Sequence, residues 1–233
     1  PVQSEATEVG VQPGRHAHEH AALGCRSVAV GGRLYVCGGE DEASRVVHRS
    51  AEAFDPLLDG GRGAWEALPA QMAVPRRSFA AAVCGGMERR LLVSGGFEHL
   101  LVHEHDGIRI PAHSSAEVLD LSGADGAWQG VEPMSAARAG HAAAGVRGGV
   151  YVSGGRSACR DGLALPSVEL FDPEAGSWFA QPPMPAGRCE AAMVLVAGSL
   201  YVLGGQSWLG GHAILSSGER FDPSRGAWTP FQD

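Results

Sequence analysis

Four short apolar strands, each closed by two glycines, recur along this sequence: Leu34–Gly39 (LYVCGG), Leu91–Gly96 (LLVSGG), Val150–Gly155 (VYVSGG) and Leu200–Gly205 (LYVLGG). A carboxylate-bearing strand follows each one: AEAFDP ending at Pro56, AEVLDL ending at Leu121, VELFDP ending at Pro173 and GERFDP ending at Pro223. A tryptophan then comes in phase, at Trp65, Trp128, Trp178 and Trp228. A Met- or Pro-rich linker carrying arginine leads to the next unit, as in Met72–Ser78, Pro133–His141 and Pro183–Cys189. Self-similarity at this period is the signature of a repeat architecture, and it restricts the fold more than any composition does.

Each unit offers four strands. In the third they are expected at about Ala142–Val146, Val150–Ser153, Ser167–Phe171 and Ser177–Ala180. One small sheet cannot bury both its faces, so neighbouring sheets must pack against each other. A radial arrangement does this and leaves only short edges. Length differences fall between the strands, at LLDGGRG in the first unit and between Gly96 and Ala116 in the second, as a stacked repeat allows. The glycines accept positive φ where the chain must turn, and the in-phase tryptophans are expected to cover the adjoining sheet.

The 233 residues are 44% hydrophobic, enough for a substantial core. Lysine is absent and the net charge is −8, which argues against a general basic surface for nucleic acid. No apolar run reaches the roughly 20 residues of a membrane helix. Five cysteines without a CxxC pair argue against a disulfide framework. A reducing, cytoplasmic setting is therefore expected.

Taken together, the Gly-Gly strands, the E-x-[F/L]-D strand, the tryptophan and the P-x-x-R linker resemble the kelch-repeat β-propellers, over about residues 15–233. The resemblance implies an all-β, kelch-type propeller with four recognisable four-stranded blades, at about 21–71, 72–133, 134–183 and 184–233. Kelch rings usually have six or seven blades, so these four are expected to belong to a larger, six-bladed ring. Residues 1–20 are read as a remnant strand of a preceding blade, because Thr7–His18 reads like a fourth strand's tail and its linker. Two departures stand out: Ala22 where the first linker should carry arginine, and Leu119 where the second blade should carry an aromatic.

The glutamates Glu52, Glu117, Glu169 and Glu219 each lie two residues before that aromatic or leucine, hence on the same strand face. A buried carboxylate needs a partner, and the linker arginines Arg77, Arg138 and Arg188 are expected to supply it. The alternative is that some of these arginines reach the ring's mouth and read an acidic ligand. The loop after each Gly-Gly varies most and is where binding specificity tends to sit. These loops carry Arg45 and Arg49, then His99, His103, His105 and Arg109, then Arg156 and Arg160, then Trp208 and His212. Trp208 is out of phase with the blade tryptophans, so packing does not explain it. The resemblance implies that these loops and the linkers line the partner-binding face. The candidate contacts are thus Arg45, Arg49, Arg77, Arg109, Arg138, Arg156, Arg160, Arg188, Trp208 and His212.

The histidine runs HAHEH and HLLVHEH lack a standard zinc spacing, and no metal or cofactor is expected. No GxSxG, P-loop or GxGxxG appears. Tyr35, Tyr151 and Tyr201 all occupy the strand position before Gly-Gly, leaving none for the tyrosine-ligated copper site of some kelch oxidases. The expected function is protein interaction, not catalysis. Resemblance to kelch proteins with an amino-terminal BTB domain implies the substrate-recognition propeller of a cullin-type ubiquitin ligase, gripping a short peptide or degron while a separate domain engages the cullin. An actin- or cytoskeleton-binding scaffold is the alternative, and a metal-dependent enzyme or sensor the less favoured one.

Overall fold

The computed structural model describes residues 23–41, 43–44, 46–86, 90–99, 110–122, 126–158, 163–207 and 213–231. They form four antiparallel four-stranded sheets, each a meander in sequence order. Blade 1 comprises Arg26–Val30, Arg33–Cys37, Ala51–Asp55 and Ala64–Ala67. Blade 2 comprises Ala80–Cys84, Arg90–Ser94, Ala116–Asp120 and Trp128–Val131. Blade 3 comprises Ala142–Val146, Gly149–Ser153, Val168–Asp172 and Ser177–Gln181. Blade 4 comprises Ala192–Val196, Ser199–Leu203, Gly218–Asp222 and Ala227–Phe231. The loops after the Gly-Gly pairs of blades 1 and 4 add two-residue ladders, Glu40–Asp41 with Val46–Val47 and Gln206–Ser207 with Ala213–Ile214.

The core lies between blades. Tyr35, Cys37, Ala51 and Ala53 of blade 1 meet Leu91, Val93 and Leu119 of blade 2. Ala82, Cys84 and Leu92 of blade 2 meet Val150, Val152 and Phe171 of blade 3. Tyr151 and Val168 of blade 3 meet Leu200, Val202 and Phe221 of blade 4. Alternate residues of every strand thus face opposite neighbours, so each blade has an entry face toward the preceding blade and an exit face toward the next. The first strands converge on an axis and line a cavity of about 780 Å³. Their small residues permit this: a Cβ on Gly145 would stand 2.5 Å from the Val83 carbonyl oxygen.

Register places each third-strand aromatic opposite its tryptophan, as in Phe54 with Trp65, Phe171 with Trp178 and Phe221 with Trp228. Their ring centroids lie 5.2, 5.0 and 4.9 Å apart. Trp128, Trp178 and Trp228 each pack on the core shared with the preceding blade. Trp178 and Trp228 also donate their indole N–H to the carbonyls of Glu132 and Pro182 in that blade, both at 2.8 Å. Trp65 differs: it rests on Phe54 but keeps 37% of its surface exposed, because no described sheet precedes it.

Burial pushes the Cys37 thiol up to about 12 and the Cys84 thiol up to about 11. Both remain protonated and act as core filler.

Candidate partner-binding face

Where each Gly-Gly pair meets a linker, one device is built three times. Arg76 pairs with Glu117 at 2.8 Å, Arg138 with Glu169 at 2.6 Å and Arg188 with Glu219 at 2.8 Å. All three guanidinium groups are essentially inaccessible. Each also donates at 2.8 Å to the carbonyl of a first glycine, those of Gly95, Gly154 and Gly204. A second donation goes to the carbonyl of Ser115, Ser167 or Ser217. The planar fork of arginine suits this set of acceptors, and a lysine would not fill it.

The expected pairing through Arg77 is therefore corrected to Arg76. The deciding spacing is four residues after a buried methionine: Met72 to Arg76, Met134 to Arg138 and Met184 to Arg188. Two adjacent arginines hide that phase. The second carboxylate oxygen accepts from the residue after the methionine, Ala73 N–H to Glu117 and Ser135 N–H to Glu169. In blade 4 that residue is Pro185, which has no N–H, and Glu219 Oε2 is left without a described hydrogen-bond partner. Pro185→Ser is expected to raise stability by about 1 kcal/mol, a charge-assisted hydrogen bond offset by the lost proline rigidity. Urea unfolding measures it.

Arg138 and Arg188 hence lie inside the blades and out of reach of a partner. Arg77 is also buried: it pairs with Glu40 at 3.3 Å, donates to the His99 carbonyl and lies 4.9 Å over the Phe97 ring. Arg156 approaches the same ring at 5.8 Å and is only partly covered. Arg49 is exposed. Arg45, Arg109, Arg160, Trp208 and His212 lie outside the described residues. Phe97 went unnoticed in the sequence, yet with Ile110, Ala112 and Ala139 it roots the long second-blade loop. That base is tied to blade 3 by the Ala112 N–H on the Ser157 carbonyl.

Two buried or part-buried histidines lie beside this device, His113 at a position that His48 holds in blade 1. His141 Nε2 lies 3.0 Å from Ser94 Oγ, and His113 Nδ1 lies 2.9 Å from Ser115 Oγ. Burial, then the Arg76 charge, pushes His113 down to about 4. Burial, then the Arg138 charge, pushes His141 well below the usual histidine range. Both are neutral in the fold, whereas the unfolded chain takes up protons near pH 6.5. The unfolded state therefore binds more protons below that point, and stability falls as pH drops. A loss of about 2 kcal/mol between pH 7 and pH 5 is expected, with the part-buried His113 discounted for solvent screening. His141→Gln should flatten that slope in urea titrations run at each pH.

Among the described residues no group of three His, Cys, Asp or Glu side chains is placed to hold a metal ion. No described helix is long and apolar enough to cross a membrane.

A family model of the Kelch motif matches residues 21–70, 137–185 and 187–233, well over half of the chain. This chain belongs to the kelch-repeat family. No curated protein matches it. The kelch motif model passes over residues 72–133, where Leu92 and Leu119 replace aromatics and the post-glycine loop is long. The structure nonetheless builds the same sheet there, with the same buried arginine–glutamate pair. As a kelch β-propeller, the chain is a protein-interaction module.

Proposed function

We propose that the loop face captures a short acidic peptide and that the module is the substrate-recognition part of a cullin-type ubiquitin ligase in the cytoplasm. The carrying observation is the division of labour among the arginines. Three are buried in blade-holding pairs, while Arg49 and Arg156 sit in the post-glycine loops with side chains reaching the surface. On a chain of net charge −8, cationic groups gathered at one face favour an anionic partner. Arg45, Arg109, Arg160, Trp208 and His212 fall in the same loops by sequence and complete the proposed contact set. An aromatic beside arginines is the composition of a binding hot spot. The partner in this reading is a protein, not a nucleic acid or a bilayer, and the cullin is engaged through a separate domain.

A peptide array tests the reading. Acidic peptides are expected to bind, and Arg49→Ala with Arg156→Ala should weaken them about tenfold with unchanged melting temperature. Equal binding of basic scrambled peptides would refute the arginine-pocket reading. Pull-down mass spectrometry then separates the two roles: a cullin supports the ligase reading, and actin in its place supports a cytoskeletal scaffold.

A further inference from the structure

The turns joining first to second strands and third to fourth strands lie at the end of each blade opposite the Gly-Gly pairs. At that end a cleft of about 910 Å³ runs along the edge of blade 3, from Arg90 of blade 2 to Pro223 of blade 4. Small-molecule sites usually hold about 300–1,000 Å³. Leu170, Phe171 and Pro223 give this cleft apolar walls. Two contacts between blades 2 and 3 fix its shape: Gly85 N–H donates to the Gly148 carbonyl at 2.7 Å, and Arg90 reaches the Pro173 carbonyl at 3.4 Å. The cleft is therefore formed before anything enters it.

Two polar side chains border the cleft without a partner. Tyr151 is 6% exposed, and its ring lies 5.8 Å from that of Phe221. Its hydroxyl has no hydrogen-bond partner among the described residues, although a tyrosine this covered usually finds one. Arg147 is exposed and pairs with no carboxylate among the described residues. It stands first in a two-residue hairpin turn, with φ +49°. Glycine adopts that conformation freely and other residues only at a cost. The counterparts of Arg147 in blades 1 and 4 are Gly31 and Ala197. A long cation held at a strained turn position, and unused by the fold, points to a role outside it.

The local charge favours an anion. Burial pushes the Tyr151 hydroxyl above the usual tyrosine range, and Arg147 is the charge that opposes the shift. Asp172 and Glu174 also border the cleft. Asp172 Oδ1, however, is taken up by the N–H groups of Glu174 and Ala175, at 2.9 and 3.2 Å, and Glu174 lies exposed in the turn. The cleft of about 560 Å³ between blades 1 and 2 makes a contrast. Tyr35 lines it, yet its cation Arg33 is tied to Asp55 at 2.7 Å and to Glu66 at 3.3 Å.

We propose that the blade 3 cleft binds a small organic carboxylate with an apolar body. The carboxylate accepts from the Tyr151 hydroxyl and the Arg147 guanidinium, and the body lies along the apolar walls. The site is at the far end of the blades from the proposed peptide-capture face and does not depend on that reading.

An NMR chemical-shift titration of the full chain with phenylacetate tests it. Phenylacetamide and phenethylammonium serve as controls that keep the aromatic body and change the charge. Phenylacetate is expected to bind with the low-millimolar affinity of a fragment, and both controls at least about tenfold more weakly. Arg147→Gly, which places in blade 3 the residue that blade 1 has there, should weaken phenylacetate about tenfold without lowering the melting temperature. Tyr151→Phe keeps the ring against Phe221 and should weaken it about fivefold. Absence of saturable phenylacetate binding would overturn the proposal. So would equal binding of the amide or the ammonium, or an affinity that survives both substitutions.

Discussion

Arg138→Met is expected to cost about 3–5 kcal/mol, the usual penalty for breaking a buried ion pair by removing one partner. Glu169, 3% exposed at its side chain, would keep only the Ser135 N–H. In the same step the Gly154 carbonyl would lose its donor, and the Ser167 carbonyl would keep only the Gly154 N–H. The orphaned Gly154 carbonyl adds to the stranded charge, because a buried polar group stripped of its partner bears its full desolvation cost. With ordinary domain stability of about 5–15 kcal/mol, such a loss brings the chain near its unfolding threshold. Urea unfolding followed by circular dichroism should show a lower midpoint at unchanged slope. Arg138→Met combined with Glu169→Leu should recover part of the loss, since the charge is gone and of the two carbonyls only that of Gly154 stays unpaired. Arg49→Met, on the exposed loop, should stay within about 0.5 kcal/mol of the parent. A single-variant cost below about 1 kcal/mol would mean that water reaches the pair.

The blades were legible because their signals are periodic. Gly-Gly, carboxylate and tryptophan repeat in phase, and an alternating strand converts that phase directly into a face. The third-blade strands expected at Ala142–Val146 and Ser177–Ala180 appear at Ala142–Val146 and Ser177–Gln181. Linker residues carry no such conversion. A linker's side-chain direction is set by tertiary contacts, so Arg138 was as readable at the mouth as in the core. Arg76 and Arg77 were indistinguishable until Glu117 chose one of them. His113 has a counterpart in one other blade, His48 of HRSAE against HSSAE, and His141 stands where the neighbouring linkers carry Phe79 and Ala191, so neither position repeats its residue through all four blades. Trp65 shows the opposite failure: its phase is right, but phase reports a residue's place in its own sheet and not whether a neighbouring sheet covers it.

Gly154→Ala is expected to be a second severe change, and Gly204→Ala a mild one, although the two glycines are equivalent in sequence. Both have left-handed φ, +70° and +63°, which costs any other residue about 1–2 kcal/mol. They part on space. A Cβ at Gly154 would stand 2.1 Å from the Arg188 carbonyl oxygen. That oxygen cannot yield, because it accepts the Gly155 N–H at 2.9 Å on a backbone held by the Arg188–Glu219 pair. Overpacking adds about 1–3 kcal/mol to the conformational cost. At Gly204 the nearest atom is the Leu215 carbonyl oxygen at 3.5 Å, an ordinary contact, so only the conformational cost remains. Thermal unfolding at low protein concentration should show Gly154→Ala melting well below Gly204→Ala. Equal melting temperatures would mean that the backbone at Gly154 yields to the added methyl.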